Sequence, residues 1–231
     1  MSMVPTAGWK TVPAYSVATE NPDYYLSMGL TAEAVAKEFS VSREAQDEFS
    51  YNSHRKAIHA IENGFFKPGI LPMKVEQVYL DAKGKKQKKE YVVDTDEGPR
   101  ADTSLDALAK LKPAFAAGGV VTAGNSSQTS DGAAFVVVMS ESMVKELGLQ
   151  PLARLVSCAS AGVHPRIMGI GPVAAIPKAV QQAGLSLSQL DLVDLNEAFA
   201  SQALAVIREA GLDPEKVNIN GGAIALGHPL G

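Results

Sequence analysis

The sequence has few of the residues that mark disulfide-linked or metal-binding proteins. It contains one cysteine, Cys158, and four histidines in 231 residues, which excludes an internal disulfide, and the scattered histidines give no structural zinc spacing. The formal net charge of −4 gives no sign that a nucleic acid or a membrane surface is the main partner. No apolar run is long enough to span a bilayer, and no signal-peptide pattern opens the chain. We therefore expect a cytoplasmic protein without a metal site.

Glycine, in contrast, is concentrated near the end of the chain. Residues 220–231 read NGGAIALGHPLG, a composition that disfavours regular structure and suits a backbone that approaches a ligand closely. Pro229 favours an extended conformation at His228, and an imidazole can act as an acid or a base near neutral pH. His228 is therefore a candidate base or hydrogen-bond donor. The alternative is a surface histidine without a role.

The first half of the chain predicts helices and a hairpin. A short helix is expected at 31–39, and a longer one runs from Ser42 at the N-cap to residue 63, with Gly64 at the C-cap. Strand-like runs at 74–80 and 90–94 flank a lysine-rich turn at Gly84, which predicts a β-hairpin. The lysines could attract the phosphates of a nucleotide-bearing ligand, although a solvated hairpin tip is the commoner meaning. Residues 103–112 predict another helix, which Pro113 ends.

The second half predicts an α/β fold with mainly parallel sheets covered by helices. The run FVVVM at 135–139 is typical of a strand that is buried on both faces of such a sheet. From residue 152, strands and helices alternate, with strands at 152–159, 192–195 and 217–220 and helices at 172–183 and 198–210. Ligands bind beyond the carboxyl ends of parallel strands. The loops that carry Asn196 and His228 should therefore meet.

Two motifs in these loops closely resemble those of the thiolase family of acyl-CoA acyltransferases. They are NEAF at 196–199 and NGGAIALGHPLG at 220–231. Shorter matches run along the whole chain: MGLTAE at 28–33, SREAQD at 42–47, TAGNSS at 122–127, DGAA at 131–134 and MGIGP at 168–172. Family members extend beyond this chain at both ends, so the resemblance implies a thiolase-like layered fold that is incomplete at both ends.

The resemblance also implies a division into three parts. Residues 1–129 would form a loop domain that binds substrate and CoA. Residues 130–150 would be a remnant of the N-terminal thiolase domain. Residues 151–231 would be a truncated C-terminal thiolase domain. Family members form dimers or tetramers, so a homodimer or homotetramer is expected for the full-length protein.

The activity implied by the resemblance is thiolytic cleavage of a 3-ketoacyl-CoA by CoA, as in fatty acid β-oxidation, through an acyl-cysteine intermediate. His228 resembles the histidine that activates the nucleophile and donates to the thioester oxygen. Asn196 resembles the residue that holds a water in the same oxyanion hole, where donors stabilise developing negative charge. Glu197 could be either catalytic or structural. CoA is a co-substrate, and no cofactor is implied.

The same resemblance indicates residues that contact the substrate. Arg100 is expected near the adenine of CoA, because a guanidinium can stack on adenine and meet phosphate. Phe115 and Met168 would equally suit an ordinary core. Ser27 stands where some short-chain biosynthetic thiolases have a histidine, which favours a degradative enzyme for longer chains. The residues expected around the pantetheine arm are Phe115, Ala123, Ser127 and Met168, and those at the acyl end are Ala198 and Phe199.

Neither of the two catalytic cysteines of the family is in this sequence. The nucleophile is expected in a segment before Met1, and the acid/base cysteine in a segment after Gly231. Cys158 lies in a strand-like run and is predicted to be a buried structural thiol. We therefore expect a thiolase fragment that is inactive alone. The alternatives are a cysteine-less module that binds acyl-CoA, an acetoacetyl-CoA thiolase, and a ketoacyl synthase, for which a different histidine pattern is expected.

Overall fold

The computed structural model describes residues 12–229 as a mixture of helices and one hairpin. The first eleven residues, which belong to the proposed loop domain, and the last two, which end the glycine-rich motif, lie outside the described residues. The helices are α1 (Tyr15–Glu20), α2 (Met28–Glu38), α3 (Arg43–Glu62), α4 (Leu105–Ala109), α5 (Glu141–Glu146), α6 (Gly171–Gln182), α7 (Ala200–Glu209) and α8 (Ala223–Leu226), and the strands are β1 (Met73–Leu80) and β2 (Lys86–Val93).

Helix α3 lies at the centre of this arrangement, packed against α4, α7 and α8. It begins as predicted, because the Ser42 hydroxyl accepts a hydrogen bond from the Ala45 N–H at 3.2 Å. It ends before Gly64, which adopts a φ of 72° that suits glycine. Ser53 and Ala57 are buried on its inner face. Their small side chains let the loops after α7 approach the helix backbone closely.

The apolar core lies between α2, α7 and the turn that precedes α6. Val35 of α2 and Val206 of α7 are fully buried in it, and Val217 is 2% exposed. Burying one such side chain stabilises a fold by about 1.5–3 kcal/mol. The core therefore fixes α7 on α2, and the loop that precedes α7 is anchored where it joins this helix.

The predicted hairpin forms, although its second strand begins at Lys86 rather than at residue 90. β1 pairs antiparallel with β2, from Met73 opposite Val93 to Leu80 opposite Lys86. Asp81 closes the turn by accepting hydrogen bonds from the Lys83 and Lys85 N–H groups at 2.8 and 2.9 Å. Both faces of the hairpin are largely exposed and its lysines are solvated, which agrees with the commoner meaning of such a tip.

Two predicted strands do not form. Residues 135–139 and 152–159 form no strand, and Phe135 and Val138 are 96% and 82% exposed. An apolar run becomes a stable strand only when a neighbour accepts its backbone hydrogen bonds and covers its faces, and the described residues supply none. The prediction of a buried Cys158 is wrong for the same reason, because the thiol lies in the second of these segments and is exposed.

Of the last two predicted strands only a single point of pairing remains. Val193 and Val217 form an isolated parallel bridge, in which the Val193 N–H donates to Lys216 O and the Asn218 N–H donates to Val193 O, each at 3.0 Å. The order and the direction agree with the predicted parallel arrangement.

Within the described part of the chain, no helix combines the length and the apolar character that a bilayer crossing requires.

Candidate active site

The loops that carry Asn196 and His228 meet at one edge of the molecule. Asn196 follows the bridge at Val193, and the His228 backbone pairs with a third segment, where its N–H donates to Gln128 O at 2.8 Å. The Asn196 Nδ2 atom then lies 3.3 Å from the Nε2 atom of His228. Asn196 is exposed and His228 is half-buried, so a ligand can reach both polar groups.

The arrangement can place two hydrogen-bond donors on one acceptor. An amide Nδ2 group carries two hydrogens, and imidazole Nε2 carries one in the appropriate tautomer. In that tautomer Asn196 and His228 both present donors, and an oxygen that bears negative charge would accept from both. In the other tautomer Nε2 accepts from the amide. The pair therefore suits chemistry in which charge builds up on a carbonyl oxygen.

Glu197, next to Asn196, points the other way and is only 2% exposed. Its Oε2 accepts from the Ser53 hydroxyl at 2.6 Å and from the Ile224 N–H at 3.2 Å. Its Oε1 accepts from Asn218 Nδ2 at 2.9 Å. A Cβ atom on Gly222 would lie 2.3 Å from the Glu197 carboxyl carbon. Of the two roles open to Glu197 from sequence, this geometry fits the structural one.

Ser127, Ala198 and Phe199 are brought together beside the Asn196–His228 pair. The Ser127 N–H donates to Ala198 O at 3.0 Å, and Ser126 forms a bridge with Phe199. The loop before Ser127 is held by Asn125, whose Nδ2 donates to the Asp47 carboxylate of α3 at 3.0 Å. Three residues assigned to the substrate from sequence thus lie on adjoining backbone segments.

The aromatic ring of Phe115 extends this group. It packs edge-on against Phe199, with ring centroids 5.8 Å apart at 83°, a geometry that aromatic pairs favour. The ring also occupies the space above Gly29, where an added Cβ would lie 2.1 Å from Phe115 Cδ1. Phe115 is 40% exposed and Met168 is 47% exposed. Neither side chain is therefore an ordinary core residue.

The remaining substrate candidates lie on separate segments. Ala123 is exposed in a short turn. Met168 lies in the turn before α6, and this turn packs against α2 and α7. The Arg100 guanidinium forms an exposed ion pair with Asp102 at 3.1 Å. Such a pair is weak in water, so a phosphate could replace Asp102. In the present pair, the hydrogen bond from Arg100 to Asp102 and the negative charge of Asp102 raise the pKa of Arg100.

His54 connects the Arg100 segment to α3. It is 5% exposed, and its Nδ1 accepts the Arg100 N–H at 3.1 Å. Burial, followed by the positive charge of Arg100, holds the pKa of His54 below its usual value of 6.5. The same segment touches α8, because a Cβ on Gly98 would lie 2.5 Å from Ala225 O. Sequence reasoning missed His54, since a histidine inside a regular helix gives no sign of its partner.

Two further features lie outside this group. A cavity of about 630 Å³ is lined by α2 and residues 116–120, and Asn196 and His228 are not among its lining residues. The Asn196–His228 pair is instead at an open surface. Across residues 12–229, no cluster of three His, Cys, Asp or Glu side chains could hold a metal ion.

Comparison with known proteins agrees with the motifs. Residues 14–142 match the family model for the thiolase N-terminal domain, and residues 149–231 match the model for the thiolase C-terminal domain. The chain is 54% identical, over all 231 residues, to a 3-ketoacyl-CoA thiolase of Bacillus subtilis, of which it covers 59%. It is 55% identical over 209 residues to an acetyl-CoA acetyltransferase of Pseudomonas aeruginosa, covering 90% of this chain and 51% of that protein.

A solved structure extends the agreement to the fold. The dimeric peroxisomal thiolase of Saccharomyces cerevisiae superposes with a TM-score of 0.86 at 40% identity, over 99% of this chain and 55% of that one. The predicted α/β thiolase fold is thus confirmed, and the chain spans about half the length of the relatives it matches. The chain belongs to the thiolase family.

Proposed function

We propose that the protein acts in the thiolytic cleavage of 3-ketoacyl-CoA by CoA, which yields acetyl-CoA and a shortened acyl-CoA. The observation that carries this proposal is the 3.3 Å separation of Asn196 Nδ2 and His228 Nε2 at an accessible edge. The His228 donor and a water held by the Asn196 donor suit an oxygen on which charge develops, and each donor to such an oxygen contributes about 100- to 1000-fold to the rate in acyl transfer.

The two side chains divide the work between them. His228 Nε2, in the tautomer without a hydrogen there, takes the proton of the attacking thiol and then donates that hydrogen to the thioester oxygen. Asn196 orients a water in the same hole without adding a charge. Cys158 is the single cysteine of this sequence and lies in the exposed segment 152–159, outside the family motifs, so we assign the nucleophilic role to another cysteine. The chain alone is therefore inactive in this proposal.

The surface beside the pair would hold the acyl-CoA. Phe115 and Phe199 form an aromatic wall, in which Phe115 would face the pantetheine arm and Phe199 the acyl end. The half-buried Ser127 offers a hydroxyl to the amides of the pantetheine arm. Arg100 would exchange its exposed partner Asp102 for a phosphate of CoA. Ala123, Met168 and Ala198 complete the proposed contacts.

A chimera tests the catalytic assignment directly. The chain replaces its matching 59% of the Bacillus subtilis relative, and consumption of 3-ketoacyl-CoA is measured on addition of CoA. The chimera should be active and the chain alone inactive. His228→Ala and Asn196→Ala should each lower kcat by about 100-fold or more. The exposed His59 supplies the matched control, His59→Ala, which should leave kcat unchanged.

Two outcomes would overturn parts of this proposal. Thiolysis by the chain alone that is lost in His228→Ala would show that no further segment is needed. Full activity of both chimera variants would remove Asn196 and His228 from the reaction.

The second candidate function is an acyl-CoA-binding module. It is favoured by the absence of any cysteine other than Cys158, because binding requires no nucleophile. Calorimetric titration of the chain with acetyl-CoA, compared with the Arg100→Ala variant, tests the binding surface. An active chimera then favours the enzyme, and tight binding with an inactive chimera favours the module.

Three finer assignments accompany the main proposal. Ser27, in place of a histidine, favours longer acyl chains and a role in fatty acid β-oxidation over an acetoacetyl-CoA thiolase. The thiolase of Saccharomyces cerevisiae is described as dimeric, and we propose a homodimer or homotetramer here also. The cytoplasmic location stays a prediction.

A further inference from the structure

We propose that Glu197 is a positioning residue, whose carboxylate sets the separation between Asn196 and His228. This inference rests on the proposed function of that pair. Glu197 is bonded to Asn196 through the backbone and is almost fully buried at 2% exposure. It lies between α3 and the backbone of the loop that leads to His228, so it can transmit the position of one loop to the other.

Each oxygen of the carboxylate has a separate task. Oε2 takes the Ser53 hydroxyl at 2.6 Å, and Ser53 Oγ in turn accepts the Gly222 N–H at 3.1 Å. Oε2 also accepts the Ile224 N–H at the start of α8. Oε1 takes Asn218 Nδ2 at 2.9 Å. One side chain therefore holds α3, the entry to the glycine-rich loop, and α8.

The donors around Glu197 cannot easily reverse their roles. Asn218 is locked, because its Oδ1 accepts the Leu195 N–H at 2.8 Å while its Nδ2 also donates to Leu195 O at 2.7 Å. The Ile224 group is a backbone N–H, which can only donate. The Ser53 hydroxyl accepts from the Gly222 N–H and donates to Glu197, but it could also accept. Asn218 and Ile224 are therefore the two neighbours that require an acceptor.

This arrangement separates a carboxylate from its amide analogue. In Glu197→Gln, either orientation of the amide turns an NH₂ group toward a donor that cannot turn away. With NH₂ at the Oε1 position it opposes Asn218, and with NH₂ at the Oε2 position it opposes Ile224. A buried donor without an acceptor is unfavourable, and the loops can relieve this by moving apart. The variant should therefore change the Asn196–His228 distance while the core persists.

Nuclear magnetic resonance on the isotope-labelled chain tests this directly. The probe is the Overhauser effect between the Asn196 side-chain amide protons and the His228 ring. We expect its loss in Glu197→Gln, while the methyl contacts within the buried core that contains Val35 and Val206 persist. The control is Glu209→Gln, which removes an acid at the end of α7 whose partner is the exposed Arg208. An unchanged Asn196–His228 signal in folded Glu197→Gln would overturn the proposal.

A milder variant keeps the test decisive where Glu197→Gln does not fold. Ser53→Ala removes one donor to the carboxylate and the acceptor of the Gly222 N–H, and it leaves the Glu197 charge in place. We expect a weaker Asn196–His228 signal with an intact core. Retention of the full signal in Ser53→Ala would count against the role of Glu197 in the same way.

Kinetics of the chimera separate this inference from the proposed function. A misplacement of about 1 Å costs about 100-fold in rate, so Glu197→Gln should lower kcat with little change in the KM for CoA. Loss of the resonance signal with full chimera activity would show that Glu197 positions the pair but that the pair does not catalyse. Loss of kcat with an unchanged signal would assign Glu197 another role and overturn the inference.

Discussion

Replacing Gly222 by alanine probes the packing beneath the two loops with a single methyl group. An added Cβ would lie 2.3 Å from the Glu197 carboxyl carbon and 2.5 and 2.7 Å from its two oxygens. All three separations are well below van der Waals contact. The backbone of Gly222 is extended, with a φ of −141°, so conformational strain does not contribute. The predicted effect comes from the collision alone.

The size of the effect follows from what must move. Overpacking a rigid interior costs about 1–3 kcal/mol. If the carboxylate is displaced instead, its hydrogen bonds to Ser53, Asn218 and Ile224 weaken, and each bond to a charged group contributes about 1.5–3 kcal/mol. We therefore expect Gly222→Ala to lower the free energy of unfolding by about 3–5 kcal/mol. This is a large share of the 5–15 kcal/mol typical of a domain.

Urea unfolding of Gly222→Ala and of a control variant measures this loss of unfolding free energy. The matched control is Gly171→Ala, since an added Cβ there meets nothing within 4 Å and alanine is favoured in the helix that begins at that residue. The control should lie within about 1 kcal/mol of the parent chain. In a Glu197→Asp background, where the carboxylate is withdrawn, the cost of Gly222→Ala should fall. An equal cost for Gly222→Ala and Gly171→Ala would refute the predicted collision.

Three further predictions concern other parts of the chain. Burial and then the charge of Arg100 hold the pKa of His54 in the folded chain below 6.5. As the pH falls, His54 therefore takes up a proton in the unfolded chain before it does so in the folded chain. The stability contribution of His54 is thus complete above pH 6.5 and is lost below it. His54→Gln should flatten this dependence in urea unfolding between about pH 5 and 8, and an unchanged slope would contradict the assignment. The exposed Cys158 should react with a maleimide as fast in the native chain as in urea; much slower native labelling would show burial. Glu33→Gln should speed hydrogen exchange at the Val120 and Val121 N–H groups, which Glu33 accepts at 3.1 Å or less, and leave α2 protected; equal protection in both chains would refute this.

Features that depend on neighbouring residues in the chain could be predicted from the sequence. Ser42 and Gly64 mark the ends of α3 because a cap and a left-handed residue act on the adjacent turn. The turn at Gly84 similarly gives the hairpin. The meeting of Asn196 and His228 also follows, because the predicted order of strands and helices directs both loops to the same edge.

Features that depend on distant partners could not be predicted in this way. The run at 135–139 has the composition of a buried strand, yet burial requires a neighbour whose identity is not encoded in the run itself. Asn218 gives no local sign that its φ is 47° or that its side chain will hold Leu195 and Glu197. The roles of Ser53 and His54 depend likewise on residues far along the chain.

Carboxylates hold the loops around the site, in addition to the apolar packing beneath them. Glu33 on α2 accepts the N–H groups of residues 120 and 121, Asp47 on α3 accepts Asn125, and Glu197 accepts three donors around α8. Each loop that they hold lacks a sheet partner along most of its length, so its backbone N–H groups need acceptors from elsewhere. Placing a charge in the interior is unfavourable unless it is fully hydrogen-bonded. Full hydrogen bonding of each buried carboxylate is possible in only one geometry of the loops that supply the donors. This explains how short, glycine-rich segments can keep the Asn196 amide and the His228 imidazole at a defined distance.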